Sequence, residues 1–401
     1  MARSPTGMLL LTLFTASCGT GDEFEFSRRV GQLDYGGRVE RIETLGHYSA
    51  AEAALLFELA GNHLQVTAEH DYSLYRVIYP TAALRSGVTT VSGLVAIPAT
   101  HSLKGIVSWQ HGTNTYRAES ISKPSVPEGV GLAALFASDG YIMVAPDYIG
   151  LGVSTDVHPY YHWPSTLSTA IDLLSIAEIM LEGLTSHSDH DLYLAGFSQG
   201  GGATAALQQA LQQDNPTGLT LRAAASVAGA FNPREISLRN AIETDDPQYL
   251  ALMLRSFAYV YEGSLDGVVR EPYKDQLADW FNGEHSPDFI RTHLPRHASE
   301  LVTDEFLRNY RAGAEEPAWF YEALRLAATH DYAPLAPLRI YYGTRDTTVI
   351  PEEAHAAFEH MRELGGNAEL AEVGPYAHDE MVLHTVPFIQ QWFDSLERSR
   401  H

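Results

Sequence analysis

The sequence predicts an α/β fold: a mostly parallel central sheet flanked by helices on both faces, with a helical cap inserted late in the sheet. Three observations predict it. From about residue 105 onward, short apolar runs of strand length alternate with longer segments of helical period, as parallel strands covered on both faces do. The run Gly196-Phe197-Ser198-Gln199-Gly200 joins one such strand to a helix, a turn so sharp that it needs glycine on each side of its serine. The alternation stops between residues 232 and 331 and then resumes, so that stretch interrupts a sheet rather than ending one.

At the start of the chain, Arg3 precedes an apolar run at 8–14, the small residues Thr15-Ala16-Ser17-Cys18, and then polar Gly19-Thr20-Gly21-Asp22. This order reads as an export signal over residues 1–18, too short to span a bilayer as a permanent helix. Cys18 is the single cysteine, which excludes an intrachain disulfide and thiolate zinc sites. Its position directly after the small residues resembles a bacterial lipoprotein cleavage site, and the resemblance implies a lipid on Cys18. Residues 19–46 are polar and without period, and read as a loose N-terminal arm. With a short helix that Ser49 and Glu52 cap and Gly61 ends, they make up an N-terminal segment 19–69.

Strands follow at 71–79 and 88–97, around a turn at Gly87, and at 105–109, which leads into Gln110-His111-Gly112-Thr113. Next come a small apolar helix at 131–137, a buried strand at 141–145 ending at Pro146-Asp147, and an amphipathic helix at 165–181. A strand at 192–197 feeds Ser198, a helix follows at 203–213, and a further strand at 219–228. Residues 70–231 and 332–401 form the core; the latter part supplies a strand at 338–343, a helix at 351–364, a strand at 368–373 and a final helix at 381–396. Between them, 232–331 is rich in large aromatics and contains helical pieces, one capped by Asp246-Pro247 with Leu250, Met253, Leu254 and Phe257 on one face. Such a stretch is either a second subdomain with its own small core or a cap over the strand ends. The resumption of the sheet pattern favours the cap.

With 26 basic against 50 acidic residues, the formal charge of −24 argues against nucleic acid as a partner and against an anionic membrane surface. Membrane contact then needs an anchor such as a lipid on Cys18.

The chemistry centres on Ser198. A serine hydroxyl becomes a nucleophile when a base takes its proton, and histidine suits that task near neutral pH; a carboxylate then fixes the histidine's tautomer. Downstream of Ser198, Asp346 lies just past the resumed strand, and His378 lies in the loop after the last strand. Glu352 and Glu353 fall in a helix and are weaker acids for this role; His384 sits in a helical run and is expected to pack locally. The oxyanion of a tetrahedral intermediate needs backbone donors, each worth about 3 kcal/mol. The Gln199 N–H comes with the turn, and the Thr113 N–H, or failing it that of Gly112, comes from the loop after the third strand. His111 and Asp147 are expected to be structural hydrogen bonders. His187, Asp189, His190 and Asp191 form a polar cluster whose spacing fits no metal-ligand pattern, so no metal is expected.

The order Ser198, Asp346, His378, the Gly-Phe-Ser-Gln-Gly turn, the His-Gly-Thr loop and the interposed cap resemble the α/β-hydrolase superfamily. Within it, Pro146-Asp147-Tyr148, Gly150-Leu151-Gly152 and His158-Pro159-Tyr160 look like the secretory, lipase A-like branch of lipases and esterases. The resemblance implies hydrolysis of small-molecule or lipid esters without metal or cofactor, by a protein exported to the cell envelope. A serine peptidase of similar fold and a non-catalytic surface lipoprotein are the alternative readings.

Overall fold

The computed structural model describes residues 29–60, 66–184, 190–244 and 247–399. The signal-like segment with Cys18, the first part of the arm, Gly61, His187, Asp189 and Asp246 lie outside the described residues. In chain order the described elements begin with β1 (Arg41–Tyr48), α1 (Ala50–Ala60), β2 (Tyr72–Ala82), β3 (Val88–Pro98) and β4 (Gly105–Gln110). They continue with α2 (Pro127–Ala137), β5 (Tyr141–Pro146), α3 (Trp163–Leu184), β6 (Asp191–Phe197), α4 (Gln199–Gln213) and β7 (Thr220–Val227).

All nine strands, counting β8 (Leu338–Gly343) and β9 (Ala368–Gly374), form one sheet of order β1-β2-β3-β5-β4-β6-β7-β8-β9. The pairs from β5 to β9 are parallel, and β1, β2 and β3 join antiparallel at one edge. Alternation along the central strands assigns side chains to the two faces. Ile106, Ile142, Val144, Leu192 and Leu194 meet α3, α4 and α12 (Pro351–Glu363) through Leu173, Leu174, Leu207, Leu211 and Met361. On the other face, Val107, Trp109, Met143 and Tyr193 meet α2 and α13 (Met381–Arg398) through Leu132, Phe136, Ile389 and Phe393. Each fully buried large apolar side chain contributes about 1.5–3 kcal/mol, so these two layers carry most of the stability. No described helix is long and apolar enough to cross a membrane.

One expectation is corrected. The loose arm expected over 19–46 is ordered at its end, where β1 pairs antiparallel with β2 from Arg41↔Ile78 to Tyr48↔Tyr72. A register shift between Thr44 and Gly46 breaks the period of two, so the segment does not read as a strand from its pattern.

Between β7 and β8 the chain leaves the sheet and forms α5 (Leu238–Glu243), α6 (Pro247–Val260), α7 (Tyr273–Trp280), α8 (Pro287–His293), α9 (Ala298–Leu301), α10 (Asp304–Arg311) and α11 (Ala318–Leu326). Their apolar faces gather Leu250, Leu254, Phe257, Leu277, Phe306 and Phe320 into a separate cluster, which also includes Tyr160, Trp163 and, from α4, Ala203 and Ala206. The insertion therefore packs on the side of α4 that the sheet does not use. Buried Glu353 of α12 holds the start of this excursion by accepting from Phe231 N, Asn232 N and Ser237 Oγ at 2.9, 2.8 and 2.5 Å. This is the place of Glu353, away from His378.

Candidate active site

β6 ends at Phe197 and α4 begins at Gln199, so the chain reverses direction at Ser198, whose φ of 57° and ψ of −118° are unusual for a residue with a Cβ. The reversal is held on three sides. Ser198 N donates to Val227 O at the end of β7 at 2.9 Å, and Ser198 O accepts from Gly201 N at 2.9 Å. A Cβ at Gly196 would lie 2.6 Å from Thr204 Oγ1 and 2.7 Å from Gln110 O, and one at Gly200 would overlap the Gln110 carbonyl. Glycine at both positions lets the turn close against the end of β4.

Asp346 and His378 come to the same place from the ends of β8 and β9. His378 Nε2 lies 2.9 Å from Ser198 Oγ, and His378 Nδ1 lies 2.7 Å from Asp346 Oδ2. The other carboxylate oxygen, Asp346 Oδ1, accepts from Thr348 N and Val349 N, each at 2.9 Å. That division fixes the carboxylate plane and aims one oxygen at the imidazole. Ser198, Asp346 and His378 are all buried, at 5, 3 and 7 % exposure, so the relay is shielded from bulk water except through the cavities beside it. The Phe197 ring lies against the imidazole at 4.7 Å between centroids. An acceptor carboxylate on Nδ1 keeps the proton there and leaves the Nε2 lone pair facing the hydroxyl.

Gln199 N stands at the first position of α4, where no intrahelical acceptor exists. Among the described residues, neither Gln199 N nor Thr113 N donates to a protein acceptor. Thr113 Oγ1 lies 3.3 Å from Tyr160 OH, and Gly112 and Thr113 line the same cavity as Ser198 and His378. That cavity has a volume of about 720 Å³. A second, of about 190 Å³, lies between Ser198, Tyr160, Tyr161 and helices α5 and α6.

Sequence reasoning passed over one contributor, His158, which it used only as part of a motif. His158 is buried and stands between Ile149 O, 2.9 Å from Nδ1, and the Gln199 side-chain amide, whose Nε2 lies 3.2 Å from His158 Nε2. The carbonyl needs a proton on Nδ1, so Nε2 accepts from Gln199. Burial pushes the imidazole down to about 4, which keeps it in this neutral form. His158 thus holds the residue that follows Ser198. The available signal was a histidine in the run His158-Pro159-Tyr160, which alone does not separate a positioning group from a core residue.

Asp147 is fully buried and takes Ser92 Oγ and Ser122 Oγ on one oxygen, each at 2.5 Å, and Ser122 N on the other at 3.0 Å. Burial pushes its carboxyl up, and these donors oppose the rise. His111 ties the same loops together, with Nδ1 2.7 Å from Gly112 O and Nε2 3.2 Å from Asp147 O. His384 stacks on Tyr376 at 3.8 Å, packing locally as expected. Of the polar cluster before β6, Asp191 pairs with Arg222 at 2.7 Å. His190 lies with Glu178 and Glu182 in a group whose ligand atoms fall within 4.8 Å of one another. That group sits at the start of β6, the opposite end of the strand from Ser198.

No family model matches the chain, and no curated protein matches it in sequence. Solved structures do match in fold. A Legionella pneumophila protein assigned provisionally to the hydrolases is 25% identical with a TM-score of 0.79, over 91% of this chain and 99% of that one. The rice cell wall degrading esterase LipA from Xanthomonas oryzae is 21% identical with a TM-score of 0.75, over 92% and 98%. Candida antarctica lipase A in its closed state is 15% identical with a TM-score of 0.62, over 92% and 84%. The chain has the α/β-hydrolase fold that it shares with these hydrolase, esterase and lipase structures.

Proposed function

We propose that this chain is a serine hydrolase of carboxylic esters that works through an acyl-enzyme. The observation that carries the reading is the relay from Ser198 Oγ through His378 to Asp346, at 2.9 and 2.7 Å, opening onto two cavities. Ser198 Oγ attacks the ester carbonyl carbon as its proton passes to His378 Nε2. The N–H groups of Gln199 and Thr113 receive the oxyanion, and the positive end of α4 adds to the field there. Collapse of the intermediate breaks the carbon–oxygen bond, and the proton on His378 goes to the departing alcohol oxygen. Water then repeats the sequence on the acyl-Ser198, with His378 as base, releasing the acid and restoring the serine. Asp346 stays ionised throughout and holds the imidazole. Side chains and backbone amides alone supply these steps.

The test is hydrolysis of aryl esters by the wild type and by Ser198→Ala. The expected loss in kcat is about 10⁴-fold or more, together with loss of labelling by a fluorophosphonate probe. Unchanged hydrolysis in the variant would sink the proposal, and a wild type inert to both ester and probe would favour the binding-protein reading.

We also propose export and anchoring through a lipid on Cys18, on the strength of the charged, apolar and small-residue order before it. Labelled palmitate is expected to enter the wild-type chain in bacterial cells and not Cys18→Ser; equal labelling of the two refutes the anchor.

A further inference from the structure

We propose that a stack of three buried rings, His111, Tyr148 and His158, sets the two oxyanion donors relative to each other, with Tyr148 as its central positioning residue; the assignment rests on the ester hydrolysis proposed above. The donors come from distant parts of the chain, Thr113 N from the loop after β4 and Gln199 N from the start of α4. The ladder between β4 and β6 ends at Gln110↔Gly196, before it reaches either of them. On the β4 side the hold is on a peptide plane. His111 Nδ1 lies 2.7 Å from Gly112 O, a distance at which two lone pairs cannot face each other, so Nδ1 carries the proton and donates. Gly112 O and Thr113 N–H belong to one planar trans peptide and point in opposite directions. Fixing the carbonyl on the His111 ring therefore aims the Thr113 N–H away from that ring, at a residue pair where glycine would otherwise let the plane turn. On the α4 side, His158 accepts from the Gln199 side-chain amide at 3.2 Å and donates to Ile149 O at 2.9 Å.

Tyr148, in the loop after β5, joins the two holds. Its ring stacks on His111 at 4.1 Å between centroids and on His158 at 6.1 Å, with interplanar angles of 28° and 11°. Its backbone lies at φ 67°, a conformation that a residue with a Cβ keeps only where its surroundings enforce it. The chain then doubles back through Gly150, where a Cβ would lie 2.3 Å from His158 N, and this return is what brings His158 alongside Tyr148. Tyr148 lines neither cavity, so it acts on an ester only through its two neighbours. A strained, buried ring that touches both histidines and no substrate is placed to hold one donor against the other.

The test compares wild type, Tyr148→Leu, Tyr148→Phe and His158→Ala in hydrolysis of p-nitrophenyl butyrate and in inhibition by an alkyl trifluoromethyl ketone and by the corresponding alcohol. Ser198 Oγ adds to the ketone carbon, its proton passes to His378 Nε2, and the carbonyl oxygen becomes an oxyanion in the hole. The alcohol binds without forming one, so the ratio of the two inhibition constants within one variant reads the hole and not general damage. Tyr148→Leu and His158→Ala are each expected to lower kcat about 10²-fold, as loss of one donor does, with KM within about threefold and the ketone's advantage over the alcohol reduced by a similar factor as kcat. Tyr148→Phe keeps the ring and is expected to recover most of both, since the hydroxyl makes a long contact of 3.4 Å with His111 O. A wild-type ketone advantage in either Tyr148→Leu or His158→Ala overturns the assignment while Ser198-dependent hydrolysis stands, and so does a loss in Tyr148→Phe as large as that in Tyr148→Leu. If the wild type neither hydrolyses the ester nor prefers the ketone to the alcohol, the hydrolase reading itself falls and the assignment with it.

Discussion

Replacing Asp346 by Asn exchanges one carboxylate oxygen for an NH₂ group and tests whether the carboxylate acts through the tautomer of His378. In the native site Oδ1 accepts from Thr348 N and Val349 N while Oδ2 faces His378 Nδ1. An asparagine can turn either way. With its NH₂ toward Thr348 and Val349 it would leave two backbone donors unpaired in a buried site, at about 1–3 kcal/mol each. The orientation that keeps the oxygen there is therefore favoured, and the NH₂ faces the imidazole. Nδ1 must then accept, the ring proton moves to Nε2, and Nε2 presents N–H rather than a lone pair to Ser198 Oγ. The hydroxyl loses its base while the geometry survives. The expected outcome is a fall in kcat of about 10⁴, equivalent to about 5 kcal/mol of transition-state stabilisation. KM for a p-nitrophenyl ester should stay within a few-fold, and the unfolding temperature within a few degrees. A loss of less than tenfold in kcat, with the protein folded, would mean that Asp346 does not orient the base and that the relay has been misread.

Two further predictions concern the frame around the site. Gly200→Ala drives a Cβ into the Gln110 carbonyl at the end of β4, and should destabilise the fold by about 4 kcal/mol or more, read by denaturant unfolding; near-native stability refutes the close approach. Asp139→Asn tests a buried cluster in which Lys104 Nζ donates to both Asp139 and Asp394, at 2.8 and 3.0 Å, and Gln390 to both as well. Burial raises the Asp139 carboxyl to about 6, above its unfolded value, so its contribution is fully present below about pH 4 and is lost as pH rises through 6. The unfolding temperature of the variant relative to the wild type should therefore rise between pH 4 and pH 7, and a difference that stays flat or falls across that window (about three pH units) contradicts it.

Much of the fold is legible in the sequence because the central strands are buried on both faces. A run such as Tyr141–Pro146 then stands out as continuous apolar residues between a glycine and a proline–aspartate turn. The edge strand β1 has no such signature: it is half exposed, carries Arg41 and Glu43, and contains the register shift at Gly46. The relay residues are legible for a related reason, since Ser198, Asp346 and His378 each stand at a strand end, where short loops bring distant parts of the chain together. The role of His158 is not. His158 acts through Gln199. That depends on packing between segments far apart in sequence, which no local pattern encodes.

The backbone at Ser198 shows why the surrounding small residues belong to the site as much as the serine does. A non-glycine residue at φ 57° and ψ −118° carries strain of about 1–3 kcal/mol, which persists only if neighbouring structure leaves no relaxed alternative. Here β7 holds the amide of Ser198, α4 begins at once and engages its carbonyl, and β4 presses against Gly196 and Gly200. On the far side, a Cβ at Gly201 would come within 2.6 Å of Gly229 Cα and one at Gly202 within 2.7 Å of Ala230 O. The run of small residues at the start of α4 is therefore what lets the helix sit between the ends of β4 and β7. With that fit the hydroxyl has one direction in which to point, toward His378, and the Gln199 amide is presented beside it. A bulkier helix start would relax the turn and lose both groups together, even though no relay residue had changed.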